Sequence, residues 1–250
     1  MPAGLSPPAP NGTVPVPAAL PAPRLLLPPP FRAFPAPAGD IVALARDHAD
    51  KGAGTVLWRD DGGVLALAIV LEPGPPLAAT PAEAELGYLA GLAALCETLA
   101  HHAQPERQVT IHWPDRVLYD AALIAGARWQ AGPVAADGLP EWVIFAAEIL
   151  ASRDGLESPG LFPDSTSLAE EDFPDAAQMI ESLAAFLKLI VDRWTIHGPD
   201  SVLRRVLDRV PGQDALQAAR IEGGRLQLPP LAERLDESRW RDPARGGPAW

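Results

Sequence analysis

The chain has little positive charge. Its 250 residues include 20 Lys and Arg against 32 Asp and Glu, a formal net charge of −12, and only Lys51 and Lys188 are lysines. A nucleic-acid or anionic membrane surface needs clustered cationic side chains, so we expect neither partner. Any mechanism that requires a lysine has only these two candidates.

Cysteine is scarcer still, since Cys96 is alone. One cysteine excludes an intrachain disulfide and favours a reducing compartment. The sequence shows neither a signal peptide nor an apolar run approaching the ~20 residues of a membrane span, so we expect a soluble, cytoplasmic protein. Because Cys96 lies in the helical pattern LAALCETLA, we interpret it as a buried structural thiol rather than a nucleophile.

Motifs of several enzyme classes are also missing. The sequence contains no CxxC or HExxH spacing for a metal, no GxxxxGK loop for phosphate and no GxSxG nucleophile elbow. The five histidines are too scattered along the chain to suggest a cluster. We therefore predict no metal site formed by protein ligands alone.

Proline, by contrast, is abundant, with 30 residues that crowd the N-terminus. Proline lacks the donor that helices and strand ladders need, so residues 1–27 are predicted to be a disordered extension. A partner-binding role for its PxxP-like pieces remains open.

Beyond residue 40 the pattern alternates between helices and strands. Asp40 is placed to cap a helix, Asp61–Gly63 marks a hairpin between two apolar runs, and a long amphipathic helix follows Thr80. Strand patterns follow, then two further helices after an acidic loop at residues 155–174. This order predicts an α+β fold with a central, mostly antiparallel sheet flanked by helices.

The segment IHWPDRVLYDAALIAGARW, residues 111–129, is the most informative part of the chain. It contains a rigid Trp-Pro pair, a short hairpin and an Ala-Gly pair in the returning strand. Proline fixes the backbone, and glycine lets a ligand approach the strand closely. We therefore predict that a small ligand binds on the sheet here.

These pieces, in this order, resemble the catalytic domain of the biotin/lipoate A/B protein ligases. HWPDR at residues 112–116 stands where that family has Lys-Trp-Pro-Asn-Asp, and LIAG at 123–126 follows at the ungapped distance of its Lys-Leu-Ala-Gly strand. STSLAEE at 165–171 resembles its Ala-Thr-Ser-Leu and acidic pair. The resemblance covers roughly residues 28–205 and leaves 206–250 as a small, degenerate C-terminal segment.

The resemblance implies a class II synthetase-like domain and a two-step reaction. The family's enzymes join a carboxylic acid such as biotin or lipoate to ATP, forming an acyl-adenylate, and then pass the acyl group to a lysine of a biotinyl or lipoyl carrier domain. It therefore implies ATP and possible Mg²⁺ as cofactors, an acid of that type as ligand and a carrier domain as partner.

The departures from the family pattern bear on activity. A positioned lysine in the hairpin strand would stabilise the charge that develops on the phosphate and carboxylate, but Leu123 stands there. The family's Gly-Arg-Gly-Arg loop is reduced to KGAGT at residues 51–55, and its Gly-Ile-Asn site has become Ala-Ala-Glu at 146–148. If Leu123 faces the site, strand alternation turns Arg128 away from it.

The resemblance nevertheless nominates site residues. For catalysis the candidates that supply positive charge are Arg116 and Lys51, with Arg59 a weaker one. Asp115 could hold a magnesium ion or a ribose hydroxyl. The residues predicted to bind ligand are His112, Trp113, Pro114, Asp115, Ala125, Gly126 and Gly54.

Three functions remain open at this stage. The first is a protein ligase with a rearranged site. The second is a non-catalytic protein that binds the ligand or the carrier domain and kept the fold, a pseudoenzyme. The third is an ATP-independent acyltransferase, which would need Cys96 at the pocket.

Overall fold

A computed structural model describes residues 24–156, 160, 164–212, 220–222, 225–227, 231, 235, 240–242 and 247–249. Most of the predicted N-terminal extension therefore lies outside the described residues, and its disorder stays a prediction.

A seven-stranded sheet forms the centre of the domain, in the order β1-β2-β3-β7-β6-β5-β4. Only β1 and β2 pair in parallel, and every other neighbouring pair is antiparallel. The strands are β1 (Arg32–Pro35), β2 (Thr55–Asp60), β3 (Val64–Leu71), β4 (Val109–His112), β5 (Arg116–Tyr119), β6 (Ala122–Ala131) and β7 (Val143–Leu150). The predicted α+β class with a mostly antiparallel sheet is confirmed.

Five α-helices, a short 3-10 helix at Ala49–Lys51 and a separate hairpin complete the described fold. The helices are α1 (Ile41–Arg46), α2 (Pro81–Ala84), α3 (Leu86–His102), α4 (Ala176–His197) and α5 (Asp200–Leu207). In the C-terminal segment, β8 (Arg220–Glu222) pairs with β9 (Arg225–Gln227) in an antiparallel hairpin.

The two central strands are buried on both faces of the sheet. Each residue of β3 except its last, and each residue of β7, is buried. Such strands are apolar almost throughout because no face meets water. Their sequences, VLALAIVL and VIFAAEIL, contain Glu148 as their one charged residue, which marks that position as unusual.

Each face of the sheet has its own core. The main core contains the inner faces of α3, α4 and α5 and side chains such as Leu67 and Phe145. The smaller second core lies under α1 and contains alternate residues of the same strands, among them Ala66 and Ala146. The first helix is anchored by Asp40, whose side chain accepts a hydrogen bond from the Val42 amide.

Cys96 is buried inside α3. It is fully inaccessible, and burial raises the pKa of its thiol to about 12. A thiol with that pKa carries almost no thiolate at neutral pH, so it is a poor nucleophile. The interpretation of Cys96 as a buried thiol is confirmed.

Candidate functional site

The candidate site lies on the sheet face that carries the second core. Arg116 on β5 pairs with Gly126 on β6, and Gly126 pairs with Glu148 on β7. Residues directly opposite each other on antiparallel strands point to the same face. These three positions therefore form a row across the sheet, on what we call the Gly126 face.

Arg128 lies on the Gly126 face, against the expectation from strict alternation. The pairing of β5 with β6 shifts register at Val117–Leu118, and the extra residue on β6 is Ile124. A bulge of one residue resets the alternation, so Leu123 lies on this face too. The guanidinium of Arg128 reaches the Glu148 carboxylate at 3.4 Å. The prediction that Arg128 points away from a site-facing Leu123 is wrong for this reason.

Glu148 is a buried carboxylate with several donors. Its side chain is 1% exposed. Besides Arg128, Nε of Arg241 donates to both carboxylate oxygens at 3.0 and 2.7 Å, and the Gly247 amide donates at 2.9 Å. A buried charge without partners would be strongly destabilising. The two arginines, one of them from the C-terminal segment, therefore make Glu148 tolerable in a central strand.

Asp40 extends this network to α1. Arg128 donates to both of its carboxylate oxygens, with Nη2 at 3.2 Å from Oδ2. Burial alone would raise the pKa of Asp40, but the hydrogen bond and charge of Arg128 outweigh it and lower that pKa. Asp40 is thus ionised near neutral pH and links the start of α1 to the sheet.

The Trp-Pro-Asp turn is fixed by buried hydrogen bonds. The Tyr88 hydroxyl donates to the Pro114 carbonyl at 3.1 Å, and the Ala127 amide donates to the Asp115 carbonyl at 2.8 Å. Burial raises the pKa of Tyr88 well above its usual value, and the nearby Asp115 charge adds to the effect. The Trp113 ring packs against the main core. The turn is therefore a rigid edge of the site.

Trp240, from the C-terminal segment, lies directly on Gly126. A Cβ at Gly126 would be only 2.2 to 2.4 Å from three atoms of the indole ring. The indole Nε1 donates to Asp115 Oδ2 at 2.8 Å, and both residues are buried. Gly126 thus admits a flat ring against the strand, and that ring belongs to the chain itself.

The structure brings some predicted residues together and separates others. Arg116, Trp113, Pro114, Asp115 and Gly126 are neighbours on or beside the Gly126 face. The Ala125 side chain belongs to the main core and so points away from this face. His112 is exposed and pairs with Arg116 across β4 and β5.

Lys51 and Gly54 lie elsewhere. Lys51 is exposed, with Nζ 4.8 Å above the centre of the Phe34 ring. A Cβ at Gly54 would lie 2.8 Å from the Pro30 carbonyl oxygen, so chain packing requires this glycine. Both residues precede β2, whereas the row through Gly126 and Glu148 reaches β2 near its other end, at Arg59. Arg59 itself donates to the Gly39 carbonyl.

Sequence reasoning missed four residues of the site: Arg128 as a partner of Glu148, Asp40 as a second partner of Arg128, and Trp240 and Arg241 from the C-terminal segment. The available signals were a lone glutamate in a buried strand and a Trp-Arg pair in an otherwise polar tail. Neither signal shows that the glutamate and the Trp-Arg pair lie together in the folded protein.

The described residues contain no grouping of three or more His, Cys, Asp or Glu side chains suited to a metal. A magnesium ion at this site would therefore need ligands from a nucleotide in addition to any protein carboxylate. Among the helices that the structure describes, none is long and apolar enough to cross a membrane.

The seven-stranded mixed sheet, with helices on both faces and a Trp-Pro-Asp turn beside a glycine strand, defines a ligase-like domain of the biotin and lipoate class. The sequence pattern of the biotin/lipoate A/B protein ligase family matches residues 27–207. The chain belongs to this family.

Solved structures share the fold. A biotin protein ligase-like protein of unknown function from Silicibacter sp. TM1040 is 24% identical, with a TM-score of 0.63 over 81% of this chain and 86% of that one. Biotin protein ligase from Aquifex aeolicus is 16% identical, with a TM-score of 0.53 over 72% and 78% of the two chains. The Leishmania major ligase in complex with biotinyl-5-AMP is 15% identical, with a TM-score of 0.51 over 79% and 87%. No curated protein sequence matches the chain.

Proposed function

We propose that this protein is a biotin/lipoate-type protein ligase with a rearranged site. It would bind a small carboxylic acid on the Gly126 face and activate it with ATP as an acyl-adenylate, with release of pyrophosphate. It would then transfer the acyl group to a carrier-domain lysine, with release of AMP. The observation that carries the proposal is the pairing of Arg116 with Gly126. This pairing places a cationic side chain next to the position where the strand has no side chain of its own.

Arg116 has the chemistry that the missing lysine would provide. It is half-buried, and its side chain makes no hydrogen bond or ion pair within the part of the chain that the structure describes. A guanidinium binds carboxylate or phosphate oxygens through two parallel hydrogen bonds. In this proposal Arg116 orients the acid and stabilises the charge that develops at its carboxylate during activation.

The other site residues have supporting roles. Gly126 and the rigid Trp113–Pro114 turn would shape the surface on which the ligand lies. Asp115 would hold a ribose hydroxyl or share a magnesium ion with the nucleotide. ATP supplies the adenylyl group when it is bound. Solved relatives in complex with biotin and with biotinyl-5-AMP support this ligand class by family likeness.

ATP–pyrophosphate exchange tests this proposal. The wild type should exchange label in the presence of biotin or lipoate, and Arg116→Ala should lower that exchange at least tenfold. Arg116→Lys should restore part of it because a cation returns to the same strand position. Arg193→Ala, which removes an exposed arginine on α4, is the matched control and should leave exchange unchanged. No exchange with either acid from a folded wild type would contradict ligase activity.

A second candidate is a non-catalytic protein that binds the acid or the carrier domain. Leu123 in place of a lysine favours it, as does the pairing of Arg128 and Arg241 with Asp40 and Glu148, which engages both cations within the chain. It predicts binding of acid or carrier without exchange. Equilibrium binding that is equal in the wild type and in Arg116→Ala would indicate a vestigial pocket, whereas loss of binding in the variant would contradict vestigiality.

The acyltransferase reading has little support from the structure. Cys96 is buried in the main core, on the other side of the sheet from the Gly126 face. Covalent modification of folded wild type at Cys96 by an acyl-thioester donor would restore this reading.

A further inference from the structure

The C-terminal segment makes three independent contacts on the Gly126 face. The Trp240 indole covers Gly126 and donates to Asp115, as described above. Arg241 binds Glu148 through Nε. The Gly247 backbone packs on Val64, since a Cβ there would be 2.5 Å from Val64 Cγ2. A loop that touched the sheet only weakly would not donate hydrogen bonds to two buried carboxylates and also cover a glycine of the sheet.

We propose that Trp240, Arg241 and Gly247 of the C-terminal segment occupy the ligand site from within the chain, and that ligand binds only when these residues move away. The inference rests on the proposed function for the identity of the ligand. That the C-terminal segment covers the Gly126 face, which we call the closure, rests on the contacts alone.

Steric competition gives the first argument. Trp240 is 5% exposed and stands within van der Waals contact of the Gly126 backbone. A ligand ring on the same glycine would have to occupy the volume of the indole. The ring and the ligand therefore cannot be on Gly126 together.

Polar satisfaction gives the second argument. The indole N–H occupies Asp115, and the Arg241 guanidinium and Gly247 amide occupy Glu148. When these residues leave, Asp115 loses the indole donor, and Glu148 loses the Arg241 and Gly247 donors while it keeps Arg128. The loss of hydrogen-bond donors at a buried carboxylate is costly. Water or donors on the incoming ligand must replace them. The closed state is thus favoured until a ligand compensates.

The first test needs no ligand. Val64 is 7% exposed beneath Gly247, so a Val64→Cys thiol should react slowly with a maleimide in the full chain. Adding Trp240→Ala should raise the labelling rate at least tenfold. The matched control is Trp142→Ala, which should change the rate less than twofold. Trp142 covers Gly132, the residue that follows β6, and a Cβ there would lie 2.5 Å from the indole ring.

Equal labelling rates in the Trp240 and Trp142 variants would overturn the closure. If Trp240→Ala does not fold, Arg241→Gln serves instead, since Arg241 is 25% exposed and its loss leaves the indole in place. We expect this variant to raise the rate at least threefold, and an unchanged rate would overturn the closure equally. The native thiol adds little background because Cys96 is buried.

The second test measures binding of biotinyl-5-AMP by calorimetry. We expect full-length Trp240→Ala to bind at least tenfold more tightly than the wild type or Trp142→Ala. Equal affinity in all three would overturn the closure while leaving the proposed ligand class intact. No binding to any of them, together with faster labelling of Val64→Cys in the Trp240 variant, would support the closure and contradict the proposed function.

Discussion

Substituting Gly126 by alanine should displace the Trp240 indole without altering the C-terminal segment itself. The added Cβ would lie 2.2 Å from the Trp240 ring, a distance that neither the strand nor the indole can absorb. The indole must therefore leave the Gly126 face. Removing a buried aromatic side chain from a core costs about 3–5 kcal/mol. Freeing this one residue returns about 1–2 kcal/mol of conformational entropy, so we expect a net loss of roughly 2–3 kcal/mol.

The effect of Gly126→Ala on the free energy of unfolding should change sign once the indole is gone. Gly126 is not among the glycines with positive φ, so alanine fits its backbone and reduces the freedom of the unfolded chain. In the Trp240→Ala background the same substitution should stabilise by about 0.5 kcal/mol. The coupling between the two sites is then about 3 kcal/mol, the upper end of what residues in contact show.

The free energies of unfolding of the wild type, Gly126→Ala, Trp240→Ala and the double variant give this coupling. Chemical denaturation monitored by circular dichroism measures them. Gly132→Ala is the control, because its Cβ would meet Trp142 rather than Trp240, and its cost should be the same in both backgrounds. If Gly126→Ala costs the same with and without Trp240, the indole is not the group that this glycine accommodates, and our account of the face is refuted.

Other predictions concern the network and the core. Because the pKa of Asp40 is lowered in the folded state, its contribution is present above about pH 4 and is lost as pH falls further. Asp40→Asn should therefore flatten the fall in unfolding free energy below pH 4, as a denaturation series in pH would show. A disulfide reagent should leave Cys96 unlabelled in the native protein and label it fully in denaturant, since its pKa is about 12; native labelling at pH 8 would contradict its burial. Gly91→Ala should destabilise by about 1–3 kcal/mol despite better helix propensity, because the Cβ would meet the Phe145 ring at 2.2 Å; Phe145→Leu should relieve that cost in the same denaturation assay.

Local patterns predict most of the fold. Aspartate caps, the Asp61–Gly63 hairpin and apolar runs of strand length all act over a few residues, so they can be seen in the sequence. The order of these elements, with the Trp-Pro-Asp box and the LIAG strand, is enough to identify the family.

The site is only partly predictable because two of its determinants are not local. The inserted Ile124 changes which residues of β6 lie on each face of the sheet. An isoleucine at that position does not indicate a bulge. Trp240 donates to Asp115 from 125 residues away, and nothing in a polar tail indicates which strand it will cover. Gly54 shows a further reason, since a glycine in a remnant of the family's loop is also required by packing against Pro30, and the sequence alone does not distinguish that requirement from ligand binding.

A crystal structure of the full chain with biotinyl-5-AMP would show the ligand position and the Trp240 position together. We expect the ligand to lie on Gly126, Arg116 to contact its acyl-phosphate oxygens and the Trp240 indole to have left the strand. A bound ligand elsewhere on the protein, or one seated while Trp240 still covers Gly126, would contradict this expectation.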